Sequence, residues 1–188
     1  MNMKYFFGFL GSLGLVILVF ILVLRGLGGG GGGQKPKEEV RLPDYTHTTT
    51  AMQFTTEGRV NADQEHYAVR ITVSRSEARI EILQGYQENV IYAQSYPSNS
   101  EAYATFLRAL EKMGYTKGDE ESAIEDDRGF CPTGQRYIYT IVNGSSTAQR
   151  FWTSSCGGGT FEGQSAKIRA LFKAQIPEYT KLTRGITL

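Results

Sequence analysis

The side chains best suited to covalent chemistry are Cys131 and Cys156, the only two cysteines among 188 residues. Cys156 is followed by Gly157, Gly158 and Gly159, whose N–H groups suit a thiolate or an oxyanion. A cysteine nucleophile also needs a base. The sequence offers His47 and His66 for that role, and neither has an evident acidic or amide partner. A second reading of the pair is structural. Cys131 just precedes the expected strand Arg136–Val142, Asn143-Gly144 is a strong turn signal, and Cys156 just follows the expected return strand Ala148–Ser154. The two outer ends of a hairpin lie side by side, so this spacing predicts a Cys131–Cys156 disulfide, in keeping with an oxidising compartment. There is no C-x-x-C pair to suggest metal or redox chemistry.

Three further stretches invite a chemical reading. The run Cys-Gly-Gly-Gly-Thr-Phe-Glu-Gly-Gln-Ser could cradle a phosphate at a helix N-terminus, but Gln164-Ser165 stands where a P-loop needs Lys. A tight crossover beneath the disulfide explains the glycines better. The stretch 119–127 holds six carboxylates in nine residues, split by Ser-Ala-Ile and without EF-hand spacing. It reads as a solvated loop, and no metal or other cofactor is expected. Tyr137, Tyr139, Phe151 and Trp152 crowd onto one hairpin. Adjacent strand residues face opposite sides, so either Phe151 or Trp152 must point away from the surface the other faces. These four form a candidate contact surface, unless the tether or the 115–135 loop covers them.

The elements that position these residues follow from periodicity. His66–Arg75 alternates, with Tyr67, Val69, Ile71 and Val73 on one face and Arg70, Thr72 and Ser74 on the other; Arg79–Leu83 and Asn89–Ala93 continue the pattern. Period two with one polar face predicts an antiparallel sheet covered on one side, with Arg70, Arg79 and Glu81 as cross-strand charge partners. After Pro97 the period changes. Ser98-Asn99-Ser100-Glu101 supplies capping residues; Tyr103, Phe106, Leu107, Leu110 and Met113 share a helical face that Gly114 ends. A second helix runs from Gly163 to Ala174, with Ile168, Leu171 and Phe172 inward and Pro177 beyond. Hairpin-then-helix thus occurs twice, at 78–114 and 137–175. The fold class expected is α+β: an antiparallel sheet of five or six strands with two helices packed on one face.

Tyr5–Leu24 is uncharged for 20 residues, about 30 Å as a helix and enough to cross a bilayer. It is too long for the apolar part of a cleaved signal peptide. Gly28–Gly33 and the Gln-Lys-Pro-Lys-Glu-Glu that follows predict a flexible tether with a reach of about 25–30 Å. The expected partition is an N-terminal tail 1–4, a transmembrane helix 5–24, a Gly-rich linker 25–50, an extracytoplasmic α+β domain 51–182 and a C-terminal tail 183–188. Arg25, Lys35, Lys37 and Arg41 after the span argue instead for a domain in the cytoplasm. A four-residue N-terminal tail and the paired cysteines argue for export, which is favoured. Of the 20 Lys+Arg and 19 Asp+Glu, residues 1–33 hold only Lys4 and Arg25, so the remainder is net −1. That balance excludes the basic footprint of a nucleic-acid-binding protein.

The span with its glycine tract, Arg136-Tyr137-Ile138-Tyr139, the stretch Trp152 to Cys156 and the stretch Leu171 to Tyr179 together resemble membrane-anchored envelope proteins of the Saccharibacteria. The resemblance implies a bacterial, envelope-anchored chain, and it carries no catalytic residue with it. The reading from sequence is a non-enzymatic, membrane-tethered binding module for an unknown protein or envelope component. The alternatives are an envelope hydrolase using Cys156 or carboxylates, and a cytoplasm-facing membrane adaptor.

Overall fold

Residues 41–119 and 127–188 are described by the computed structural model. The expected span Tyr5–Leu24, the glycine tract and most of the acidic stretch lie outside them. Among the described residues no helix is long and apolar enough to cross a membrane.

Six strands form one sheet: β1 (Thr50–Glu57), β2 (Tyr67–Val73), β3 (Glu77–Gln84), β4 (Asn89–Pro97), β5 (Arg136–Asn143) and β6 (Ser146–Ser154). Their spatial order is β4-β3-β2-β1-β5-β6, and every neighbouring pair is antiparallel. β1 through β4 form a meander. Helix α1 (Ser100–Lys112) then carries the chain back across the sheet, so that β5 pairs with the free side of β1. Helix α2 (Ser165–Ala174) follows β6, and a short α3 (Tyr179–Leu182) follows α2. The repeated order is present as β3–β4–α1 and β5–β6–α2, one copy at each end of the sheet.

Both helices lie on the same face, as the alternation requires. Met52, Phe54, Val69, Ile71, Val73, Ile80, Tyr139 and Phe151 point from the strands into one cluster with Tyr103, Phe106, Leu107, Leu110, Ile168 and Phe172 from the helices. Phe106 meets Phe172 edge-on at 5.1 Å between ring centres, which joins the two helices. Burying each such side chain contributes about 1.5–3 kcal/mol. Local signals place the helices: Asn99 Oδ1 caps α1 by accepting from the Ala102 N–H at 2.9 Å, and Gly114 ends it with φ +74°, a conformation glycine adopts freely.

Three boundaries differ from expectation. The domain starts earlier than residue 51: a 3-10 helix spans Leu42–His47, with Leu42 buried in the core. Residues 41–50 therefore belong to the folded unit and not to the tether, because Leu42 has apolar surface to bury. Residues 183–188 are not a free tail, since Ile186 and Leu188 pack against the core and Gln135 Nε2 donates to the Leu188 carbonyl at 3.3 Å. The β5–β6 turn falls on Gly144 and Ser145, one residue later than the Asn-Gly signal implied, with Gly144 at φ +61°.

Candidate functional site

Cys131 and Cys156 are joined by a disulfide, with Cα atoms 5.6 Å apart. The hairpin ends bring them together as predicted. Gly134 makes room for the bond: a Cβ there would lie 2.3 Å from Ser155 Oγ and 2.4 Å from Cys131 Sγ. A sulfur held in a disulfide has no thiolate to attack with, so Cys156 is not a nucleophile while the bond stands. The histidines do not supply the missing base either. His47 ends the 3-10 helix in an exposed position. His66 is buried, stacks on Tyr86 at 4.2 Å, and faces the Arg59 carbonyl oxygen with Nδ1 at 3.1 Å. That contact requires the proton on Nδ1 and fixes the ring as a structural piece.

The aromatic contact surface expected on the β5–β6 hairpin is not there. Tyr137, Tyr139, Phe151 and Trp152 are all buried, none more than 8% exposed. Tyr139 and Phe151 face the helices, and Tyr139 stacks on Phe161 at 4.0 Å. Burial pushes the Tyr139 hydroxyl up to about 12 in pKa, although its hydrogen bond to Ser165 opposes the shift. Trp152 points the other way, where Phe130 covers it at 4.8 Å. Phe130 and Asp127 thus lie on the second face of this hairpin. Its underlay is charged: Arg136, fully buried, donates to Glu57 Oε2 from Nε at 3.1 Å and from Nη2 at 2.9 Å. Asp127 lies 3.5 Å from Arg136 Nε and accepts from Arg150 Nη2 at 2.5 Å. Asp127, read from sequence as part of a solvated loop, is instead a buried ion-pair partner, and composition could not single it out from its five acidic neighbours.

Glycines 157 to 159 serve the same hairpin. The segment that follows β6 folds back along the Trp152–Ser154 end of its outer edge. Thr160 and Phe161 both donate their N–H groups to the Trp152 carbonyl, at 2.9 and 3.0 Å. Trp152 N–H donates to Thr160 Oγ1 at 3.1 Å, Thr153 Oγ1 to the Gly158 carbonyl at 2.9 Å, and Ser154 Oγ to the Gly157 carbonyl at 2.6 Å. Gly159 sits at φ +122°, where a Cβ would stand 2.3 Å from the Trp152 carbonyl oxygen. The glycine run therefore caps a strand and does not cradle a phosphate.

The opposite edge is β4, and among the described residues no other strand pairs with it. Seven of its nine residues are exposed. Val90 and Ile91 are each 51% exposed and Tyr92 is 39% exposed. Tyr92, Gln94 and Tyr96 lie on the helix side, paired with Ile82, Ile80 and Ala78; Ala93 and Ser95 lie on the other side, paired with Glu81 and Arg79. No residue from Asn89 to Pro97 carries a charge. Exposed edges in natural proteins usually hold a lysine or an interior proline, or twist away at a bulge. β4 has a register shift opposite Ile82 and Leu83, beside Ile91, and its one proline is the last residue. Between them, Tyr92 to Tyr96 is a regular strand. The charges expected on the open face are in place on β2 and β3: Arg70 pairs with Glu88 and lies 4.0 Å from Glu81, and Arg79 Nε donates to Glu81 Oε1 at 3.0 Å.

An open groove of about 480 Å³ lies between α1 and α2, lined by Glu101, Thr105, Phe106, Leu171 and Gln175 among others. It gathers no acid–base pair. Among the described residues no three His, Cys, Asp or Glu side chains converge as metal ligands would. No protein-family model matches the chain, and neither a curated protein nor a solved structure matches it.

Proposed function

We propose that the chain is a non-enzymatic interaction module that works by strand addition at β4, held at the bacterial cell envelope by the span Tyr5–Leu24. The observation that carries the reading is the uncharged, regular stretch Tyr92–Tyr96, exposed at Tyr92, Ala93 and Ser95 and half-buried at Gln94 and Tyr96, on a sheet edge whose opposite edge is capped at Trp152–Ser154. An extended segment laid along such an edge gains main-chain hydrogen bonds, and side-chain contacts on alternate positions give selectivity. Val90, Ile91 and Tyr92 add apolar surface of the kind found in contact patches. The apolar run in the sequence supports anchoring, and the Cys131–Cys156 bond supports an oxidising, extracytoplasmic setting.

The test is site-specific photo-crosslinking in the native cells. A benzophenone side chain in place of Ile91 is expected to give a discrete adduct, whereas one in place of Thr147 on β6 gives none. Adducts at Thr147 and none at Ile91 would overturn the reading. A cysteine enzyme is tested separately: a thiol-reactive probe that labels Cys156 in unreduced native membranes would contradict the assignment of that residue to a disulfide.

A further inference from the structure

The two edges of the sheet differ in a way that also identifies what β4 meets. We infer that the occupant of β4 is a second copy of this chain, added antiparallel about a two-fold axis perpendicular to the sheet, to give one twelve-stranded sheet. The inference rests on the reading of β4 as the working edge and goes on to name its partner.

Self-pairing places a strand against its own reverse, so any charge it carries is repeated across the seam. β4 carries none from Asn89 to Pro97, and no like-charge contact arises along its length. The other edge strand, β6, carries Arg150, and the chain that follows it pairs along its Trp152–Ser154 end. A strand selected for a charged partner would be expected to carry the complementary charge. A strand left bare of charge is complementary to itself.

The side-chain pattern fits the same operator. With Gln94 on the axis, Tyr92 of one copy stands opposite Tyr96 of the other, Ala93 opposite Ser95, and Gln94 opposite Gln94. The tyrosines and Gln94 are on the helix side of β4 in both copies, and a perpendicular two-fold axis keeps the helix layers of both copies on that same side. Two cross-strand aromatic pairs then flank an amide pair, and small residues meet on the other side, leaving nothing bulky to block the seam. Aromatic cross-strand pairs are among the stabilising ones. Every strand pair within the chain is antiparallel, and this addition continues the pattern. Two-fold pairing is the commonest closed arrangement of identical chains.

The test is charge exchange at the axis. Full-length chain solubilised in mild detergent is examined by sedimentation equilibrium over a concentration series, with Gln94→Lys, Gln94→Glu and an equimolar mixture of the two. Wild type is expected to dimerise. Each variant alone is expected to dimerise roughly ten-fold more weakly, because like charges meet directly across the seam. The mixture is expected to recover most of the lost association. Three results would overturn the inference: a wild type monomeric throughout, a dimer indifferent to both substitutions, or variants that weaken without recovery on mixing. A monomer whose benzophenone at Ile91 still captures a different protein in cells would sink the second copy and leave β4 as the working edge. A dimer indifferent to Gln94, joined with no adduct at Ile91, would sink both.

Discussion

The β5–β6 hairpin closes the Trp152–Ser154 end of its outer edge with the chain that follows it, whereas among the described residues no strand pairs with the outer edge of the β3–β4 hairpin. The two begin alike. Each is an antiparallel pair followed by a helix on the same face of the sheet. At the β6 end a disulfide, three glycines and three side-chain hydroxyls hold the return segment against the strand. At the β4 end the chain turns directly into α1, with Asn99 as its cap. The same plan thus yields one sealed edge and one available edge. Two residues, Ser98 and Asn99, separate β4 from its helix, whereas the ten residues 155–164 separate β6 from its helix and leave room for the return.

This comparison can be broken or sharpened by experiment. The largest expected effect comes from the staple of the sealed end. Replacing Cys131 and Cys156 together by serine should cost about 3.5 kcal/mol, from the loop of about 26 residues that the bond closes. The urea midpoint of the wild type with and without reductant measures it, and an unchanged midpoint would mean the bond contributes nothing. Next is alkaline pH. Tyr139 in the sealed half has its hydroxyl pKa raised by burial to about 12, against about 10 in the unfolded chain. The unfolded state therefore loses its proton first. Stability is complete below pH 10 and falls as pH rises from about 10 to 12, by about 3 kcal/mol for this group. Tyr139→Phe should flatten that fall, as thermal melts between pH 9 and 12 would show.

Smaller is Gly159→Ala. Its φ of +122° and the 2.3 Å approach to the Trp152 carbonyl make it strained, at a cost of about 1–3 kcal/mol. Amide exchange in β6 should speed up while that in β2 and β3 does not. The smallest effect belongs to the open edge: Ile91→Lys, half exposed, should change the stability of the dilute protein by no more than about 0.5 kcal/mol. A large loss there would mean that Ile91 is part of the fold and not of a surface.

Much of this fold was legible because its signals are local. Period-two alternation identified β2, β3 and β4, the Asn143-Gly144 turn signal bounded β5 and β6, Ser98–Glu101 and Gly114 bounded α1, and the cysteines flanking one hairpin predicted their own bond. The contact surface was misplaced for a physical reason. Alternation shows that Phe151 and Trp152 face opposite sides, yet it does not show whether a second layer covers the far side. Phe130, Asp127 and Arg136 supply that layer here, from parts of the chain distant from Trp152 in sequence. Tyr115 was missed in the same way. Its hydroxyl lies 2.7 Å from the Gln53 carbonyl and 2.9 Å from the Thr140 carbonyl, joining α1's end to β1 and β5, and burial holds its pKa well above the usual tyrosine value. Nothing near Tyr115 in sequence announces that bond. The openness of β4 was equally hidden, because strand order in a sheet depends on where α1 returns the chain. The absence of charge from Asn89 to Pro97 was the one readable hint.

The most direct test of the open edge is amide hydrogen exchange on the full-length chain, comparing native membranes with dilute detergent and reading peptides that cover Asn89–Pro97 and Ser146–Ser154. Strong protection of the β4 peptide is expected in membranes and falls on dilution, with the β6 peptide equally protected in both. A β4 peptide that exchanges at the same rate in both conditions, while another surface gains protection in the membrane, would contradict it.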